Sequence, residues 1–88
     1  MQENLLVFFE EVRQDLARVF NNVAFGLYFG GNIIYTFELK DGEKRKCSVD
    51  LFVIDNNLSN GLITRDKAKQ YVTDLVMTSI HHEAGKNG

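Results

Sequence analysis

Between Val23 and Ile54 the apolar residues keep to odd positions through three successive segments. They are Val23, Phe25, Leu27 and Phe29, then Ile33, Tyr35, Phe37 and Leu39, then Cys47, Val49, Leu51 and Val53. Period-two alternation marks a half-buried strand, and a slip of one residue would turn a whole strand inside out. Three such strands joined by short glycine-bearing turns fold as an antiparallel meander. Parity also sets the turns. A three-residue loop, Gly30-Gly31-Asn32, keeps the apolar residues on one face by pairing Phe29 with Ile33, Leu27 with Tyr35 and Phe25 with Phe37. A two-residue loop would set Leu27 beside Ile34 and mix the faces. At the next turn, Lys40-Asp41-Gly42 places Gly42 where a type I turn with a G1 bulge needs a left-handed residue. Tyr35 then faces Cys47, Ile33 faces Val49 and Glu38 faces Lys44.

The flanks read as helices. Over residues 3–20, Leu5, Phe8, Phe9, Val12, Leu16, Val19 and Phe20 recur at helical spacing, with Asn4 as an N-cap and Glu10 able to pair with Arg13 or Gln14. Asn21-Asn22 supply the exit. Residues 55–63 are rich in turn formers and read as a polar connection. Thr64 then caps a second helix that buries Ala68, Tyr71, Val72, Leu75, Val76 and Ile80 and ends near His81-His82. The expected architecture is α+β: a two-layer α-β-β-β-α domain over residues 1–82, both helices on the odd face of the sheet. Residues 83–88, which lack apolar side chains, are expected to form a flexible tail.

Composition narrows the function. The longest apolar run, Leu5 to Phe9, is far short of the roughly 20 residues that span a bilayer, so no membrane partner is expected. No basic region precedes that run, which points to a cytoplasmic protein rather than a secreted one. The single cysteine, Cys47, lies on the inward parity and reads as a small packing residue. Asp55, Asn56, Asn57 and Ser59 offer oxygen ligands without the alternating acids, glycine and closing glutamate of a calcium loop. His81 and His82 project about 100° apart on a helix and do not share one ion. No glycine-rich phosphate loop precedes a helix, and no nucleophile–base pair is evident. The expectation is a protein without catalytic activity, metal, cofactor or small-molecule substrate.

What remains informative is the even face. Strand three carries Phe52 and Ile54 on this face, so Tyr28, Ile34, Phe52 and Ile54 form an apolar cluster that neither helix covers, unless residues 55–63 fold back over it through Leu58 or Leu62. An apolar patch ringed by polar residues marks a contact surface. The leading expectation is therefore a protein-protein interaction module, of adaptor or inhibitor type. It would form a homodimer or dock on a protein partner through the open sheet face or edge.

Arg65-Asp66-Lys67-Ala68-Lys69, at the start of the second helix, is similar to the Lys-Lys-x-Ala-Lys entry of the double-stranded RNA-binding domain. The order α-β-β-β-α also resembles that family. The resemblance implies binding to duplex RNA through Arg65, Lys67 and Lys69, with Lys44, Arg45 and Lys46 as a further basic group at a hairpin tip. Asp66 stands where the family carries a phosphate-contacting lysine. The net charge of −2 and a pI near 5.6 weigh against nucleic acid as the main partner.

Overall fold

A computed structural model describes residues 5–28 and 30–87, with side chains as far as Ile80. Helix α1, Leu5–Leu16, is followed by strands β1 (Asn21–Tyr28), β2 (Asn32–Glu38) and β3 (Lys44–Asp50). Helices α2 (Leu51–Ser59) and α3 (Arg65–Asn87) complete the chain. The expected N-cap Asn4 and the odd-parity Phe29 lie outside the described residues. The strands form one antiparallel sheet in the order β1-β2-β3. Helices α1 and α3 pack on it and on each other, which is the expected α+β arrangement with one helix added.

α1 buries Leu5, Phe8, Phe9, Val12 and Leu16, a single stripe at spacings of three and four. It stops there because Arg18 and Val19 already donate three residues back, to Asp15 and Leu16, tightening the last turn. Val19, expected in the buried face, is exposed. Asn21 and Asn22, expected as the helix exit, begin β1. Asn22 takes the left-handed φ of 54°, and the β1–β2 register shifts between Asn21 and Ala24, a bulge at the start of the edge strand.

On the odd face Val23, Ile33, Tyr35, Phe37, Cys47 and Val49 are buried against α1, and against α3 with its Ala68, Val72 and Val76. Tyr35 is central. Its hydroxyl donates to the Phe9 carbonyl at 2.7 Å, and burial pushes the phenol's pKa well up. The β2–β3 turn is as parity requires: Gly42 at φ +88° donates to Leu39 O at 2.8 Å, Leu39 N–H donates to Glu43 O, and Tyr35 stands opposite Cys47. The β1–β2 turn keeps the expected parity but shifts by one pair. Leu27 is opposite Ile33 and Phe25 opposite Tyr35, with Tyr28 and Asn32 the last partners. Gly30 and Gly31 are both left-handed, at φ +82° and +78°, and Asn32 is released to pair with Asp50.

The main correction concerns residues 51–63, expected as strand and then loop. β3 stops at Asp50, whose carboxylate accepts from Phe52 N–H at 2.9 Å and Val53 N–H at 3.4 Å and so opens α2. A short apolar run such as Leu-Phe-Val-Ile satisfies both periods. Leu51 and Ile54 are three apart and buried, with Leu58 packed behind them, so the helical reading prevails. α2 ends in a Schellman motif: Gly61, at φ +69°, donates to Leu58 O and Leu62 donates to Asn57 O at 2.9 Å. Thr64 caps α3 through Lys67 N–H, as expected, while Tyr71 is exposed rather than buried. α3 continues to Asn87, past the end expected near His81-His82.

Candidate interaction surface

With α1 and α3 on the odd face, the even face stays open among the described residues. Ala24, Tyr28, Thr36, Lys44, Lys46, Ser48 and Asp50 are exposed and Ile34 is half-buried. Of the four residues expected to form one apolar patch, two share this face. Tyr28, 55% exposed, lays its ring over Gly26, where a Cβ would sit 3.2 Å from the ring, and Gly26 is the Cα partner of Ile34. Phe52 does not lie on the sheet, because it belongs to α2. It is 62% exposed and covers Gly31 at the end of the sheet, so closely that a Cβ there would meet the ring at 2.2 Å. Ile54 is a correction outright: at 2% exposure it belongs to the core. The alternative, a fold-back through residues 55–63, does not cover the face either. Leu58 packs on the core as part of α2, and Leu62 is exposed.

The two edges of the sheet differ in kind. β3 carries Lys44, Arg45, Lys46 and Asp50, and such charges blunt edge-to-edge pairing. β1, Asn-Asn-Val-Ala-Phe-Gly-Leu-Tyr, carries no charge and no proline. Its outward backbone groups can be identified from the bonding phase. Leu39 bonds Glu43, and Leu51 N–H donates to Gly31 O, so odd residues of β2 turn their peptide groups toward β3 and even ones toward β1. Gly26, Ala24 and Tyr28 face those even residues, which leaves Val23, Phe25 and Leu27 pointing away from the sheet. One side chain confirms the phase. Arg13 Nη1 donates to Val23 O at 3.4 Å.

Arg13 is held for that contact by a fork of two bonds to Glu10, at 2.8 and 2.7 Å. The bond to Arg13, and then the bond to Gln14, pull the Glu10 carboxyl below its ordinary value. Leu6 lies four residues before Glu10 and seven before Arg13, hence on the same stripe of α1 and toward the Leu27 end of β1. Leu6 and Leu27 are both more than half exposed. From the sequence an open sheet edge is expected, without the strand being specified. Comparing the charge of the two outer strands would have singled out β1.

The basic residues do not converge. Arg65 and Lys69 both reach Glu11 of α1, at 3.1 and 3.4 Å, and Arg65 also stacks over Phe8 at 5.6 Å. Those bonds, the Arg65 one foremost, lower the Glu11 carboxyl. On β3, Lys44 and Lys46 face the open side, whereas Arg45 has the opposite parity and bonds Glu43 at 3.0 Å. Ser79 lines the same depression as Lys44, Arg45 and Lys46. Arg65 lies fourteen residues earlier on α3, roughly 20 Å along the axis, so the hairpin and the helix start occupy opposite ends of the domain. Cys47 is buried, and burial raises its thiol pKa while a Ser79 hydrogen bond lowers it. No helix among the described residues is long and apolar enough to cross a membrane. Comparison with protein-family models, with curated proteins and with solved structures finds no match, so the geometry alone carries the functional reading.

Proposed function

We propose that this chain is a small non-catalytic protein-protein interaction module that works through its open sheet, by face or by edge. The observation that carries the reading is the asymmetry of the sheet. Its odd face is filled by two helices, while its even face and the β1 edge present Tyr28, Ile34 and the outer flank of an uncharged strand. Phe52 extends this surface at the end that Gly31 opens. A cytoplasmic setting agrees with the chain's free, buried cysteine. The duplex-RNA reading finds less support, because Arg65 and Lys69 are turned to Glu11 and the basic hairpin lies at the far end of α3.

The test is capture of partners by the immobilised chain, with and without nuclease, compared with Tyr28→Asp and Phe52→Asp chains of unchanged circular dichroism. A discrete nuclease-resistant protein, lost from both variants, is expected. Capture that is identical in the variants sinks the sheet surface. Material released by nuclease would transfer the function to Arg65, Lys67 and Lys69.

A further inference from the structure

We infer that the β1 edge pairs with β1 of a second copy of this chain, antiparallel about a two-fold axis at Gly26, to give one continuous sheet. This rests on the reading of the chain as an interaction module and names the partner at its edge. The peptide groups that point outward are odd-numbered, so a second β1 meets them in phase whenever the two strands cross at a residue of β1. Arg13 then weighs against one of these registers. A crossing centred on Phe25 would need the Val23 carbonyl, which Arg13 already holds. A crossing centred on Gly26 pairs Phe25 of each copy with Leu27 of the other, both exchanging backbone bonds, and leaves Val23 with Arg13. It also sets Tyr28 opposite the small Ala24 and brings the two side-chain-free glycines together at the axis, the closer, non-bonded pair.

Three features of the chain favour a second copy as the occupant over an unrelated strand. β1 has no charge to repel itself, whereas β3, the other edge, is guarded by charge. Leu27 is 58% exposed although its parity is that of the core, and in the proposed register Phe25 of the mate covers it. Leu6 stands on the stripe of α1 that faces the same edge, where the two-fold axis brings the mate's α1 alongside. The bulge at Asn22 ends the pairing surface on one side, which makes the contact short. A contact of this size belongs with weak complexes.

The experiment is sedimentation equilibrium of the purified full chain from about 10 to about 500 μM, the range a small interface calls for. The mass is expected to rise from 10.1 kDa toward twice that value. Leu27→Lys places a charge on the edge, and Leu27→Pro removes an outward N–H without costing an internal bond. Each is expected to weaken association by about ten-fold or more, and either one with unchanged circular dichroism suffices for the comparison. Under oxidation, Gly26→Cys is expected to cross-link the dimer, whereas Ala24→Cys, four residues from its own symmetry mate along the strand, is not. A wild-type chain that stays monomeric overturns the inference, as does a dimer that persists in the Leu27 variants or resists cross-linking at position 26. A monomer that still captures a foreign protein through Tyr28 would remove the self-pairing and leave the module reading in place.

Discussion

Removing the Asp50 carboxylate should destabilise the protein by about 1 kcal/mol, because that group decides where β3 stops. It accepts from Phe52 N–H at 2.9 Å and from Val53 N–H at 3.4 Å, one good bond and one weak one, at the first turn of α2. A single well-made cap supports the middle of the roughly 0.5 to 2 kcal/mol range for such losses. In Asp50→Ala those donors are exposed and can turn to water, which keeps the effect from growing larger. With a urea m-value of about 1 kcal/mol/M for a small domain, the unfolding midpoint should fall by about 1 M at constant m. Asp50→Asn retains the side-chain acceptor and should recover most of the loss. Equal midpoints for wild type and Asp50→Ala would refute the reasoning, and so would an Asp50→Asn chain as unstable as Asp50→Ala. Amide exchange supplies an independent reading: protection should fall first in α2, since its N–H groups lose their cap, and the Tyr35 region of the sheet should be spared.

Gly31→Ala should cost more than its left-handed φ of +78° alone, roughly 1 to 2 kcal/mol, because the new Cβ would overlap the Phe52 ring. In a Phe52→Ala background only the backbone term remains, so a double-mutant cycle without coupling would contradict the packing of Phe52 on Gly31. Tyr35→Phe loses the 2.7 Å bond to the Phe9 carbonyl and should cost about 1 kcal/mol near neutral pH, measured by urea unfolding. Because the folded-state pKa of Tyr35 is raised, its contribution is complete below the ordinary tyrosine pKa of about 10 and is lost as pH rises above it. The wild-type advantage over Tyr35→Phe should therefore shrink in alkali. A constant gap up to about pH 11 would show that the phenol is not confined as described.

The parity of the sheet is legible in the chain alone. Val23, Ile33, Tyr35, Phe37, Cys47 and Val49 all face the core as their alternation requires, and Gly42 fixed the second hairpin to the residue. The α1 stripe, the Glu10–Arg13 pair and the Thr64 cap were equally legible, because each depends on neighbours within one turn of a helix. The first hairpin lies one pair away from the register that alternation and a three-residue loop suggest. Alternation constrains parity but not a two-residue shift, and two adjacent glycines admit more than one turn. At residues 51–54 alternation is ambiguous for a related cause, and the Asp50 cap is the local signal that breaks the tie. Leu-Phe-Val-Ile fits a strand and a helix alike, and the choice fell to Asp50, which caps α2, and to the core, which takes Leu51 and Ile54 together.

That choice removed Phe52 and Ile54 from the sheet face and so redrew the candidate surface. The edge of β1 was decided at the tertiary level as well. Which peptide groups point outward depends on the pairing phase of β2 with β3, and which of them are taken depends on Arg13 reaching across from α1. Period and capping are properties of a few consecutive residues and can be read from the chain. An unpaired edge is defined by what the rest of the fold leaves uncovered, and only the packed structure shows it.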